Sequence, residues 1–221
     1  MHAIAVVTFL ALACSCGGSP PIPARGVVEG DLGSWKFRRY QPVLDVEVYV
    51  SDNPAVAYTA SYVSAEAEKR GRIDDGDLVN VFVTRYQKPA GVLRETVRLS
   101  RRLAQEAGYR VDESKIGGAR LLTISGNGET WAMWPARRHV VKVGGRNRDS
   151  VPESMIEAYA DRYPSILPQG ALEGPLPEPE VDNGQPTDES APDSTGTPDI
   201  KDVNTDELNK KIDEKKRRDN K

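Results

Sequence analysis

Leu44, Val46, Val48 and Val50 alternate with Asp45, Glu47, Tyr49 and Ser51, a period of two that predicts a half-buried β-strand. Asn53-Pro54 breaks the pattern. Tyr58 to Ser64, β-branched and aromatic, reads as a second strand. Asp74-Asp75-Gly76-Asp77 is turn chemistry, and the strongest strand signal follows it, Leu78 to Gln87. Its nearly continuous apolar run predicts a central position covered on both faces.

The period then changes. Pro89 suits the first turn of a helix and Gly108 the position just past its end, while Leu93, Val97, Leu103, Ala104 and Ala107 recur at helical spacing. Arg94, Arg98, Arg101, Arg102 and Gln105 fall on the opposite face. A second β segment runs from Ala119 to Ser125, through an Asn127-Gly128 turn to Glu129–Trp134, then through a turn at Pro135 to Arg138–Val143. Asn-Gly between alternating runs signals a hairpin, because a type I′ turn needs positive φ at both central residues. Ser150-x-x-Glu153 has capping-box spacing, with Pro152 in the first turn of a last helix. Met155, Ile156, Tyr159 and Tyr163 form its apolar stripe and Pro164 ends it.

The predicted order is β-β-β-α-β-β-β-α. Short antiparallel connections with two helices predict an α+β fold, an antiparallel sheet of five or six strands with both helices packed on one face. The absence of βαβ alternation argues against a doubly wound nucleotide-binding fold.

Composition divides the chain. From Ala171 to Ile200 there are eight acidic residues and no basic ones, with six prolines, and from Lys201 to Lys221 eight basic and six acidic. The stretch from Ala171 onward thus carries a net charge of −6, leaving +3 on the preceding 170 residues of a chain whose total is −3. That balance is too small to suggest a nucleic-acid partner, which calls for a clustered basic stripe. The acidic, Pro-rich stretch cannot bury enough apolar surface to offset its ordering entropy, and Asn204 to Arg218 forms at most a transient charged helix. Both cysteines, Cys14 and Cys16, lie near the start, so residues 34–168 hold no disulfide, thiolate metal site or cysteine nucleophile.

Ala3 to Ala13 is an apolar run of eleven residues, short of the roughly 20 needed to span a bilayer but matching the core of a secretory signal. Only Met1 and His2 precede it, with no basic residue, which leaves room for a start upstream. Leu10-Ala11-Leu12-Ala13-Cys14 resembles the lipobox of bacterial lipoproteins. The resemblance implies that residues 1–13 are a cleaved signal peptide and that the thiol of Cys14 takes diacylglycerol, with palmitate-type acyl chains anchoring the protein to a membrane. Cys16 is a second candidate. Ser15, rather than aspartate, after Cys14 is similar to the signal that permits outer-membrane sorting, so the implied location is the cell envelope, on the outer membrane facing the periplasm or the surface. Ordinary signal-peptidase cleavage after Ala11-Leu12-Ala13, releasing a soluble protein, is the alternative. The expected organisation is then a lipidated flexible tether over 14–33, one α+β domain over 34–168 and a disordered tail over 169–221.

Within the domain, each candidate site has a plainer reading. His139 suits a general base or metal ligand, but a lone histidine lacks the cluster that zinc requires, and at a strand start beside Arg137 and Arg138 it is expected on the surface. Asp74, Asp75 and Asp77 suit calcium, yet do not match the spacing of the twelve-residue calcium loop, so a hairpin turn is expected. Gly117-Gly118 and Gly126-Asn127-Gly128 open no helix, which removes the usual phosphate cradle, and read as turns. Trp131 and Trp134 point to opposite sheet faces. Near them in composition stand Trp35, Phe37 and Tyr40. Either tryptophan suits a binding platform for a sugar, peptide or protein, against the plainer reading of one core and one sheet-edge aromatic. Arg94, Arg98, Arg101 and Arg102 suit anionic headgroups, an acidic partner or the chain's own acidic tail, against a solvated helix face.

No constellation specifies a reaction, and no cofactor is expected. The leading expectation is a non-enzymatic, envelope-tethered domain for binding or assembly, with a membrane, an envelope protein or a glycan as partner. A hydrolase using carboxylates such as Asp45 and Glu47, or a serine, is the first alternative, although side chains on one strand face project in parallel. A small-ligand carrier with a cavity under the helices is the second. The anchor is directly testable: intact mass of native material is expected to show a chain beginning at an acylated Cys14. A Cys14→Ser chain is expected to lose both the lipid mass and membrane retention, and an unacylated, unprocessed native chain would overturn the assignment.

Overall fold

Seven strands, β1 (Trp35–Val43), β2 (Ala55–Ser64), β3 (Leu78–Tyr86), β4 (Tyr109–Ile116), β5 (Ala119–Gly126), β6 (Glu129–Ala136) and β7 (His139–Arg146), form one sheet. Every neighbouring pair is antiparallel, in the order β1-β2-β3-β7-β6-β5-β4. Among the described residues three helices accompany it, α1 (Ala65–Arg70), α2 (Val92–Gln105) and α3 (Glu153–Ala160). The computed structural model describes residues 19–178, so the signal run, Cys14, Cys16 and the acidic tail with its charged segment fall outside the described residues. The fold is α+β as expected, with seven strands instead of five or six and three helices instead of two.

The expected placement of the helices on one face is corrected. Alternate residues of a strand point to opposite faces, and here both faces are apolar. Tyr62, Val81, Val83, Leu121, Trp134 and Val141 lie in one core with Met155, Ile156 and Tyr159 of α3. Leu122, Ile124, Trp131, Met133 and Val140 lie in a second core with Val92, Val97 and Leu99 of α2. The helices therefore cover opposite faces. Strands β6 and β7 are buried along almost their whole length, and β7 holds the centre, with β3 beside it.

Local chemistry explains where the elements begin and end. Ser64 caps α1, accepting the Ala67 N–H, and Gly71 closes that helix at φ 70°. β4 and β5 are joined by Gly117-Gly118, both at positive φ (55° and 84°), as a two-residue hairpin turn demands. Asn127-Gly128 makes the next turn, as predicted, with φ 50° and 75°. The turn expected at Pro135 falls instead at Arg137-Arg138, Arg137 standing at φ 51°. Pro135 stays inside β6 because pairing with β5 ends at Met133, so its missing N–H breaks no rung. Ser150 does not cap α3; Pro152 occupies that position with no side-chain bond.

The strand expected at Leu44–Val50 is a loop, and the first strand precedes it. Burial follows the alternation only at its end, where Val48 and Val50 are buried around a 75% exposed Tyr49, whereas Leu44, of the same apolar phase, is 97% exposed. β1 is an edge strand with a bulge between Phe37 and Arg39, and its exposed Arg38 and Arg39 discourage pairing with another chain.

Order also extends past both expected limits of the domain. An N-terminal strap, residues 26–32, crosses the α3 face with Val27 fully buried. A C-terminal strap, residues 167–176, packs Leu167 and Ala171 into the α2 core. Side chains satisfy the strap backbones. The Val28 N–H donates to Tyr159 Oη (3.0 Å) and Tyr62 Oη donates to the Val28 carbonyl (2.6 Å). Tyr62 and Tyr159 stand 2.8 Å apart, and because the Tyr62 proton goes to Val28, Tyr159 donates to Tyr62 and closes a ring of three bonds. Burial pushes both phenols above their ordinary range. Tyr163 Oη donates to the Gly26 carbonyl (2.7 Å).

On the other face Glu113 accepts the N–H groups of Gly170 (2.9 Å) and Leu172 (2.7 Å). Arg101 donates to the carbonyls of Ala171 (2.6 Å) and Gly174 (2.5 Å). Tyr62→Phe and Tyr159→Phe are each expected to cost about 1–3 kcal/mol, the penalty for leaving a buried polar partner unsatisfied. Because both belong to one ring, the double variant is expected to cost less than the sum of the singles in chemical denaturation. Strict additivity would show that the ring is not closed.

Candidate functional site

The loop from Leu44 to Pro54 lies against the α2 face of the sheet and is fixed at several points. Tyr86 Oη donates to the Val48 carbonyl at 2.5 Å, and Val48 and Val50 enter the α2 core. Both Glu47 carboxylate oxygens accept from Lys142 Nζ at 2.8 Å. At the far end Asn53 Nδ2 donates to the carbonyls of Lys88 (2.8 Å) and Ala90 (3.1 Å), and its Oδ1 accepts the Lys88 N–H (3.0 Å). Tyr49 stands between two buried valines with three quarters of its surface in solvent.

Beneath the loop, Lys142 Nζ sits 4.5 Å from the centre of the Trp131 ring. Phe82 meets the same indole edge-on at 5.7 Å. The indole lies against Gly144, where a Cβ would approach Trp131 Cε3 to 2.8 Å, so the position requires glycine. Trp131 Nε1 donates to Glu129 Oε2 and Arg146 Nε to Glu129 Oε1, each at 3.0 Å. The Trp131 hydrogen bond, joined by Arg146 and opposed by burial, holds the Glu129 carboxyl below its usual value. Lys142 is mostly covered while Glu47 is about half exposed, so their ion pair contributes at most about 1 kcal/mol, and the cation–π contact about as much again. The arrangement is a braced aromatic platform with one tyrosine held outward.

The two tryptophans do lie on opposite faces. Trp134 is fully buried and donates from Nε1 to the Tyr163 carbonyl at 2.8 Å; it is core and presents nothing to a ligand. Trp131 is 9% exposed and reaches the surface only through the groups stacked on it. The arginine stripe of α2 does not act as one surface. Arg101 holds the C-terminal strap, Arg98 pairs with Glu95 at 2.8 Å, Arg94 is half-buried and Arg102 is exposed.

Asp74, Asp75 and Asp77 form a single 3-10 turn, where Asp77 pairs with Arg70 at 2.8 Å and accepts the Asp74 N–H at 3.0 Å. Among the described residues no group of three or more His, Cys, Asp or Glu side chains is placed to hold a metal. Asp45 is exposed and Glu47 is engaged by a lysine, so neither is set beside a second carboxyl for acid–base work. Two open depressions mark the surface, about 330 Å³ beside Gly126, Gly128 and Arg148, and about 180 Å³ beside Glu113, Arg120 and Leu167. The space between sheet and helices is filled by the two cores. No helix among the described residues is long and apolar enough to cross a membrane.

His139, expected on the surface, is 4% exposed and packs against Tyr163, ring centres 5.0 Å apart and planes tilted by 59°. The two-residue turn at Arg137-Arg138 returns the chain so tightly that His139 pairs with Ala136 inside the sheet. Burial, with Arg138 and Arg85 nearby, lowers its pKa to about 4. The folded state thus resists protonation that the unfolded chain accepts near its ordinary 6.5, so the stability is fully present above that value and falls as pH drops toward 4. Unfolding midpoints in urea are expected to register a loss of about 3 kcal/mol across that window from this residue alone. In His139→Phe the loss should flatten, and an unchanged slope in that variant would assign the acid sensitivity elsewhere.

No protein-family model matches the chain, and searches of curated proteins and of solved structures find no significant match.

Proposed function

We propose that this protein is an envelope-tethered lipoprotein, anchored through Cys14, whose folded domain is a non-enzymatic binding module for an envelope protein. The supporting observation is the presentation of Tyr49, an aromatic side chain 75% exposed on a loop whose neighbours are buried and whose backbone is bonded to the sheet. Tyrosine supplies large contact area with few rotamers to freeze, and a loop already ordered in the free protein spares the binding step that entropy. Trp131, Lys142 and Glu47 supply the footing, with a carboxylate and an ammonium at the rim to fix the partner's orientation.

A photo-crosslinking residue in place of Tyr49 is expected to capture one discrete envelope protein in intact cells. The same residue in place of Arg110, exposed on β4, is expected to capture none. Tyr49→Ala should weaken capture from a neighbouring crosslinker position by at least tenfold, in line with loss of an interface anchor worth about 2 kcal/mol. Identical adduct patterns at both positions, or none at either, would defeat the proposal.

A further inference from the structure

One corner of the α3 face is left uncovered by both the helix and the N-terminal strap. Strand register defines it: Tyr40 pairs with Ala60, Pro42 with Tyr58, and Val56 with Arg85. Ala60 belongs to the α3 core, so these alternate positions share its face. The corner carries Val56 at 47% exposure and Tyr40 at 36%. Leu44, one residue past the last β1 rung, is 97% exposed, and Ile22 of the incoming chain is 41% exposed. Cations are interleaved. The Arg25 guanidinium lies 4.4 Å above the Tyr40 ring, and Arg85 and the bulge residue Arg38 are exposed. Two carboxylates stand nearby, Glu29, bonded to Arg25 at 2.7 Å, and Asp45.

We propose that this corner seats on the anionic headgroup layer of the bilayer, with Leu44 and Val56 entering the interface, Tyr40 at headgroup level and Arg25, Arg38 and Arg85 meeting lipid phosphates. The proposal rests on the reading of Cys14 as the lipid anchor. Chain length supports it. Four residues lie between Cys14 and Ser19, where the described chain begins, a reach of at most roughly 18 Å. An acyl anchor at Cys14 therefore keeps Ser19 within that distance of the headgroups, and six residues on Arg25 already lies over Tyr40 of the corner. Side-chain chemistry matches as well, because tyrosines are enriched at membrane interfaces and arginines are drawn to anionic leaflets. The Tyr49 loop face, on the other side of the sheet, is then turned away from the lipid.

The test uses the acylated full-length protein purified from membranes and reconstituted into vesicles containing phosphatidylglycerol, with Leu44→Trp as reporter. The native tryptophans are at most 9% exposed and give a shielded background. Emission from position 44 is expected to shift to the blue and to be quenched by lipids brominated on the acyl chain, whereas Tyr49→Trp should show neither effect. Adding Arg25→Gln or Arg85→Gln should lower the docked-to-undocked ratio roughly fivefold for each guanidinium removed, as should replacing phosphatidylglycerol by a zwitterionic lipid. Equal quenching at positions 44 and 49, or none at 44, overturns the proposal. So does a blue shift at 44 that persists in detergent alongside a dimeric sedimentation coefficient, which would give the corner to a second copy of this chain. Intact mass reads acylation separately: a protein acylated but unquenched at 44 retains its anchor and loses this surface, while an unacylated Cys14 removes the anchor itself.

Discussion

A sheet that is apolar on both faces needs cover on both faces, and the described residues hold too little helix to supply it. Seven strands about 4.8 Å apart span roughly 29 Å, whereas α3, with eight residues, is about 12 Å long. Most of the remaining surface is closed by segments without regular structure, one from each end of the domain together with the Leu44–Pro54 loop, and one corner of the α3 face stays open. An extended segment laid over a core brings unpaired backbone groups with it, and each left unpaired would cost about as much as a lost hydrogen bond. That is why the straps coincide with the most specific polar contacts in the molecule. Tyrosine hydroxyls serve the N-terminal strap, and Glu113 and Arg101 the C-terminal one. The apolar coverage and the polar clasp are one device, since neither strap could remain without both.

Incorporation of the straps into the fold fixes where the chain leaves it. A tether running free to residue 33 would let the domain tumble over a wide radius. With Val27 buried and Gly26 and Val28 bonded to tyrosines, only residues 15–25 separate Cys14 from the first clasped position. The proposed anchor, so few residues away, would favour one orientation of the domain over the others, with Tyr40 of the corner under Arg25 just ahead of the strap.

Much of the fold was legible because its hairpins are written in local chemistry: Gly117-Gly118, Asn127-Gly128 and the apolar run of β3 each carry their own signal. The two missed strands are the two edges of the sheet. β1 and β4 carry Arg38, Arg39, Arg110, Asp112 and Lys115, charges that protect an open edge and erase the alternation by which a strand is recognised. Of the alternating run at Leu44–Val50 only Val48 and Val50 pack against the α2 face, without pairing, and Leu44 is exposed. Of the expected apolar members of α2, Ala104 is exposed and Ala107 lies past the helix end, while Thr96 and Ser100 are fully buried. Their hydroxyls bond the carbonyls one turn back, so helical polarity alone misjudged the buried face. His139 was misplaced for a related reason: its arginine neighbours suggested a surface, yet they form the turn that returns it to the interior. Arg101 shows the limit most plainly. Its spacing is that of Arg98 and Arg102, and only the C-terminal strap, distant in sequence, gives it a different task.

The same loop supplies residues to both faces, and this links the two proposed surfaces. Leu44 leaves the end of β1 next to the α3-face corner, and by Val48 the chain has entered the α2 core. Ordering a residue costs about 1–2 kcal/mol of backbone entropy, so a loose loop would present Leu44 and Tyr49 at heavy expense and in no fixed relation. Here Glu47, Val48 and Asn53 are each bonded to the sheet or to the segment following β3, and folding has already met that cost. Seating Leu44 in lipid therefore also sets the direction in which Tyr49 points, without any conformational change passing between them. The proposed coupling is geometric: the sheet would be the lever, and the orientation of the Tyr49 loop would be decided on the opposite face.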